Sequence, residues 1–198
     1  MVAGIRLRAA KAGSGMGAAS MITEAITTAR AAGVTGELLV RGDSAYGTSA
    51  VIKACLDAGA RFSVVLTKNR PVTATIAEET WTPVRYPGAV TDLDPGELIS
   101  DAEVAEVEFT AFTSTPNPVT ARLIVRRIRD RNHQDPLFPV WRYHPFFTNN
   151  TEPTTEADIT HRGHTIIETT FSDLIKVRWH TYPPATSPRT QPGRCAPP

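Results

Sequence analysis

The strongest constraint on what this chain can fold into is an alternation over residues 20–69: helix, aliphatic run, helix, aliphatic run, joined by short loops. In SMITEAITTARAAG the residues Ile22, Ala25, Ile26 and Ala29 recur at helical spacing, with Ser20 as a candidate cap and Gly33 as the stop. Leu38 to Val40 then form a short aliphatic run ended by Gly42, which reads as a buried strand whose carboxyl end delivers Asp43. TSAVIKACLDAG is a second helix, with Val51, Ile52, Cys55 and Leu56 on one side and Gly59 as its stop, and RFSVVLTKN is a second buried strand. Such an order predicts an α/β fold with a parallel sheet.

Beyond residue 70 the period changes. In EVAEVEFTAF, Glu106, Glu108 and Thr110 alternate with Val107, Phe109 and Ala111, the pattern of a half-exposed strand. STPNP makes a turn and TARLIVRRIRD returns, so the two predict an antiparallel hairpin that is part of a small sheet. PVWRYHPFFTN predicts a further aromatic strand, broken or edged at Pro145. In TTEADITHRGHTIIETTFSDLIK, Thr155 and Asp158 resemble a capping box, and Ile159, Ile166, Ile167, Phe171 and Leu174 fall on one helical face. Residues 183–198 hold six of the sixteen prolines and no large aliphatic side chain, a composition that predicts disorder. The expected organisation is a poorly structured stretch over 1–17, an α/β core part over 18–70, a β-rich insertion over 71–150, a helix of the core over 151–176, and a Pro-rich tail over 177–198.

The 198 residues are 41% hydrophobic, enough for a core, and a net charge of +1 excludes binding of nucleic acid by bulk charge while leaving local basic patches open. Two cysteines are too few for a disulfide scaffold or a cysteine-based zinc site, and no run of 18 apolar residues offers a membrane span. A cytoplasmic protein is the expectation.

Three groups of side chains could carry chemistry. Asp43, flanked by Gly42 and Ser44 at the end of a strand, stands where open α/β sheets place functional groups; the alternative is that it caps the next turn. His161, His164 and Glu168 share one face of the last helix, a spacing that suits a metal or phosphate face, or a face that only meets water. Paired with Asp43, Glu168 would supply a second carboxylate for metal-assisted phosphodiester chemistry. Arg122, Arg126, Arg127, Arg129 and Arg131 form a basic run in which Arg122 and Arg126 share a strand face and could track phosphates, or could simply protect a hairpin edge. Cys55 reads as a small core residue, and Ser44 lacks the frame of a hydrolase nucleophile.

LLVRGDSAYG, RFSVVLTKN, WRYHPFFTN and HRGHTIIETTFSDL, in that order, resemble the DDE-type bacterial insertion-sequence transposases, nearest to the IS-thirteen-eighty type, over residues 13–175. The resemblance implies a partial RNase H-like core interrupted by a β-rich antiparallel insertion. It also implies Mg²⁺ or Mn²⁺ as cofactor, DNA (element ends and target) as partner, and a homo-oligomer. Asp43 corresponds to the family's second catalytic aspartate and Glu168 to its catalytic glutamate, both metal-holding. In the helix signature Tyr, two residues, Arg, three residues, Glu, six residues, Lys, the places hold His161, His164, Glu168 and Ile175. Only the glutamate is kept, with Arg162 and Lys176 one residue from the Arg and Lys places. The candidate DNA contacts are thus Arg122, Arg126, Arg127, His161, Arg162, His164 and Lys176.

The family's first catalytic aspartate lies upstream, whereas the only acids before Asp43 are Glu24 and Glu37. The chain therefore resembles an internal piece of a transposase, and a truncated, inactive copy is the expectation. A non-catalytic DNA- or transposase-binding remnant is the alternative. A third expectation is misfolding, because without upstream strands Leu38–Val40 and Val64–Leu66 would keep an unpaired edge and an uncovered face.

Overall fold

The computed structural model describes residues 11, 13, 15–76, 80–84, 102–129 and 140–163. The chain divides into one unit over residues 1–161 and a second over 162–198, of which Arg162 and Gly163 are described. The Pro-rich tail, the continuation of the last helix and residues 1–10 lie outside the described residues.

Both anticipated helices form. Helix α1 spans Ala18–Ala31 and α2 spans Ser49–Asp57. Ser20 does not cap α1, which starts two residues before it; its Oγ donates back to the Gly17 carbonyl within the first turn. Thr48 caps α2, its Oγ1 accepting from the Val51 N–H. The chain leaves the two helices through Gly33 and Gly59, with φ of 90° and 63°, a backbone conformation that a side chain would strain.

Strands β1 (Leu39–Gly42) and β2 (Arg61–Val65) pair in parallel, Leu39 opposite Arg61 and Gly42 opposite Val64. Then follow α3 (Arg70–Ile76) and the two-residue β3 (Thr82–Pro83), neither of which has a clear signal in the sequence. Strands β4 (Ala102–Ala111) and β5 (Val119–Arg129) make the expected hairpin, and β6 (Trp141–Thr148) and α4 (Thr154–Arg162) complete the order.

The hairpin is part of a sheet larger than the small one expected. All six strands join one mixed sheet in the order β1-β2-β6-β5-β4-β3, and β6 is the seam between the parallel and antiparallel parts. Pro145 therefore sits inside a central strand rather than breaking an edge strand. It lies opposite Val125, one residue beyond Phe146, where the pairing with β2 ends, so only one side of the ladder meets its missing N–H. The same seam removes the expected unpaired edge of β2, because β6 occupies it.

Side chains alternate between the two faces of this sheet. One face carries Phe62, Val64, Leu123, Val125 and Phe147, all with no more than 1% exposure, packed with Ile26 of α1, Ile52 and Cys55 of α2, and Val72 and Ile76 of α3. Phe147 meets Phe62 at a tilt of 40° with ring centres 5.5 Å apart, and Phe109 edge-on at 6.4 Å. The opposite face carries Ser63, Arg122, Ile124, Arg126, Phe146 and Thr148, and α4 lies on it with Ala157 against Ile124 and Phe146. Thr155 and Asp158 do not form a capping box, since α4 begins at Thr154 and Asp158 is fully buried against the sheet. Ile159, expected on the buried stripe, is 49% exposed because Ala157, Asp158 and His161 define the buried face.

Candidate active site at the end of the first strand

The backbone that follows β1 turns sharply. The Tyr46 N–H donates to the Asp43 carbonyl at 3.0 Å, and the Ala45 N–H donates to Asp43 Oδ1 at 2.9 Å. Asp43 thus caps its own turn, and its carboxylate remains exposed at the carboxyl end of the parallel strand pair. Two close backbone approaches hold the loop. A Cβ on Gly47 would stand 2.3 Å from the Val65 carbonyl oxygen, and one on Gly15 would stand 2.6 Å from the Ala45 carbonyl oxygen. Both glycines are needed for space rather than for an unusual φ.

Within β1, Arg41 lies opposite Ser63 and so on the α4 side of the sheet, two residues before Asp43. The Arg41 guanidinium donates to the Thr160 carbonyl near the end of α4, tying that helix to the strand that delivers Asp43. His161 is buried, its ring stacked on Phe146 at 4.1 Å with 2° between planes, and its Nδ1 lies 2.8 Å from Ser63 Oγ on β2. Arg162 is the last residue of α4 and is half-buried. His164, Glu168 and Lys176 lie outside the described residues.

The basic run on β5 is engaged by carboxylates. Arg122 grips Glu106 of β4 through Nε at 2.7 Å and Nη2 at 2.5 Å, and its Nη1 donates to the carbonyls of Asn150 and Glu152. Arg126 is 3% exposed and donates from Nη1 to Asp158 Oδ2 at 2.8 Å. Arg127 pairs with Glu103, its Nε donating at 2.6 Å, while its guanidinium lies 4.1 Å from the Trp81 ring centre and 4.4 Å from that of Trp141. Arg122 and Arg126 do share a face, as the strand period predicts, but that face meets α4 and the loop before it.

Sequence reasoning missed Ser63, Glu106, Thr154 and Asp158 as members of this network. Thr154 Oγ1 donates to Glu106 Oε2 at 2.5 Å, joining the start of α4 to the Arg122 pair. The hydrogen bonds from Arg122, and more weakly the one from Thr154, hold the Glu106 carboxyl below its usual range against the opposing effect of partial burial. The one local signal was the three-residue spacing of Asp158 and His161, which places both on one helical face.

Asp43 fits as one oxygen ligand for a divalent ion: a hard carboxylate, exposed, with Oδ1 accepting from the Ala45 N–H. Among the described residues no group of three or more histidine, cysteine, aspartate or glutamate side chains is placed to hold a metal ion. Among them, too, no helix is long and apolar enough to cross a membrane. A family model described as the transposase DDE domain group 1 matches residues 1–164. No curated protein matches the chain.

Proposed function

The chain belongs to the transposase DDE domain family, for which DNA is the substrate and transposition the process, and on that premise we propose that it is the strand-cleavage and strand-transfer domain of an IS-thirteen-eighty-type element, with an RNase H-like core. The observation that carries this reading is the exposed Asp43 carboxylate at the carboxyl end of a parallel β1–β2 pair, directly after the strand that Arg41 ties to α4. Asp43, with Glu168 by its place in the family pattern, would hold Mg²⁺ or Mn²⁺, which would supply Lewis-acid stabilisation of a phosphodiester. Asp43 contributes a carboxylate whose direction is fixed by its own turn, so little reorganisation accompanies binding. His161 supports the site by packing rather than by touching DNA, because its ring is stacked under α4.

With two of the three carboxylates that the family uses, this 198-residue chain has little or no strand-transfer activity when it acts alone. Purified chain is incubated with end-bearing DNA in Mg²⁺ or Mn²⁺, alongside Asp43→Ala. The expected result is no nicking or joining, with Mn²⁺ binding that Asp43→Ala weakens at least tenfold. Nicking or joining that Asp43→Ala abolishes would sink the inactivity claim, and Mn²⁺ binding indifferent to Asp43→Ala would sink the metal assignment. DNA binding that is strongly salt-dependent, without cleavage or metal binding, would instead favour a non-catalytic remnant.

A further inference from the structure

Helix α4 is fastened to the sheet at three heights by polar groups, which is more than an amphipathic helix needs to stay in place. At its start Thr154 joins the Arg122–Glu106 pair; midway, fully buried Asp158 receives Arg126; at its end His161 meets Ser63 and the Thr160 carbonyl receives Arg41. The apolar contact beneath it is small, Ala157 on Ile124 and Phe146. A flat, nearly apolar seat of that kind tolerates sliding by one turn, about 5.4 Å, whereas a buried ion pair and a directed hydrogen bond each allow one register.

We propose that Arg126, Asp158 and Ser63 are positioning residues that set the register of α4 on the sheet, with Arg122 and Glu106 fixing where the helix begins. In consequence β5, which lies within the β-rich stretch, controls how the last helix meets the strand that delivers Asp43. The step from register to metal rests on the site reading above; the register itself does not.

The test uses the full chain with Cys195→Ser and spin labels on Glu108→Cys of β4 and Ile159→Cys of α4, both exposed positions, while buried Cys55 stays unlabelled. The expected parent result is one narrow label-to-label distance. Arg126→Met with Asp158→Asn removes both charges at nearly constant volume; it is expected to melt cooperatively but to add a second distance population displaced by about 5 Å, one turn. Arg126→Lys, which can still reach a single carboxylate oxygen, is expected to restore the single population.

A double variant with one unchanged narrow distance overturns the proposal, because Ala157, Ile124 and Phe146 would then set the register unaided. Should the double variant not melt cooperatively, Ser63→Ala decides: a broadened distance supports the proposal and an unchanged one overturns it. Mn²⁺ titration separates the two readings. A displaced helix with at least tenfold weaker Mn²⁺ binding, rescued by Arg126→Lys, supports positioning of the metal site. A displaced helix with unchanged Mn²⁺ binding overturns that half alone. Failure of the parent to bind Mn²⁺ overturns the site reading and leaves the register to the distances.

Discussion

The two faces of the sheet are held by different physics. The face under α1, α2 and α3 is apolar and close-packed, with Phe62, Val64, Leu123, Val125 and Phe147 all at or below 1% exposure. The face under α4 buries Ser63, Arg126, Thr148, Asp158 and His161 around a small apolar contact. The first arrangement is nondirectional and gains mainly from area removed from water. The second gains little net free energy, because desolvating two charges offsets most of their attraction, but each bond in it has one geometry. One face keeps the protein folded; the other keeps a helix in a particular place.

The largest expected effects test this contrast directly. Phe147→Ala opens a cavity in the three-helix face and is expected to cost about 3–5 kcal/mol. Asp158→Asn strands the Arg126 charge under α4 and is expected to cost about 3–5 kcal/mol as well, although it removes no volume. Denaturant melts of both variants check the pair. A loss below about 1 kcal/mol for Asp158→Asn would mean that water reaches Arg126 and that the second face is not a sealed polar layer.

A smaller effect sharpens the link between the faces. Gly47→Ala forces a Cβ against the Val65 carbonyl, so the loop after Asp43 or the end of β2 must shift. The expected cost is about 1–3 kcal/mol, with weaker Mn²⁺ binding than stability loss alone explains. Thermal melting and Mn²⁺ titration on the same sample check it, and unchanged values for both would show that the loop yields freely.

The smallest effect is pH-dependent. The Glu106 carboxyl is lowered from 4.5, chiefly by Arg122, so its contribution is fully present above the unfolded value and fades as pH falls below about 4.5 through the folded value. The parent is therefore expected to lose more stability between neutral pH and about pH 3.5 than Glu106→Gln does. Equal losses would show that the Arg122–Glu106 pair is no better formed than an exposed ion pair.

Much of the first face was legible in the sequence. Ile26, Ile52 and Cys55 reveal themselves by helical spacing, Gly33 and Gly59 mark the stops, and Phe62 and Val64 sit in an aliphatic run. These signals are local, and the hydrophobic effect rewards any partner of about the right size. The second face was misread where polarity was taken for exposure. Arg126 looked like a phosphate contact and Asp158 like a helix cap, because each has an ordinary surface role and neither shows its partner, 32 residues away, in the local sequence. Ile159 looked buried because apolar residues usually are, yet the groups that define the inner side of α4 are an alanine, an aspartate and a histidine.

The sequence by itself determined which segments become helix or strand, α3 and β3 aside, together with the parallel β1–β2 pair, the β4–β5 hairpin, and the delivery of Asp43 at a strand end. Periodicity, capping and turn chemistry act over a few residues, so they can be read without the fold. Only the tertiary structure decided that the hairpin extends the α/β sheet, that β6 with its internal proline is the seam, and that Arg122 and Arg126 of β5 meet α4 and the segment before it. Those outcomes depend on which distant edge a strand meets and which distant charge an arginine meets. Such pairings are long-range and directional, and composition carries no record of them.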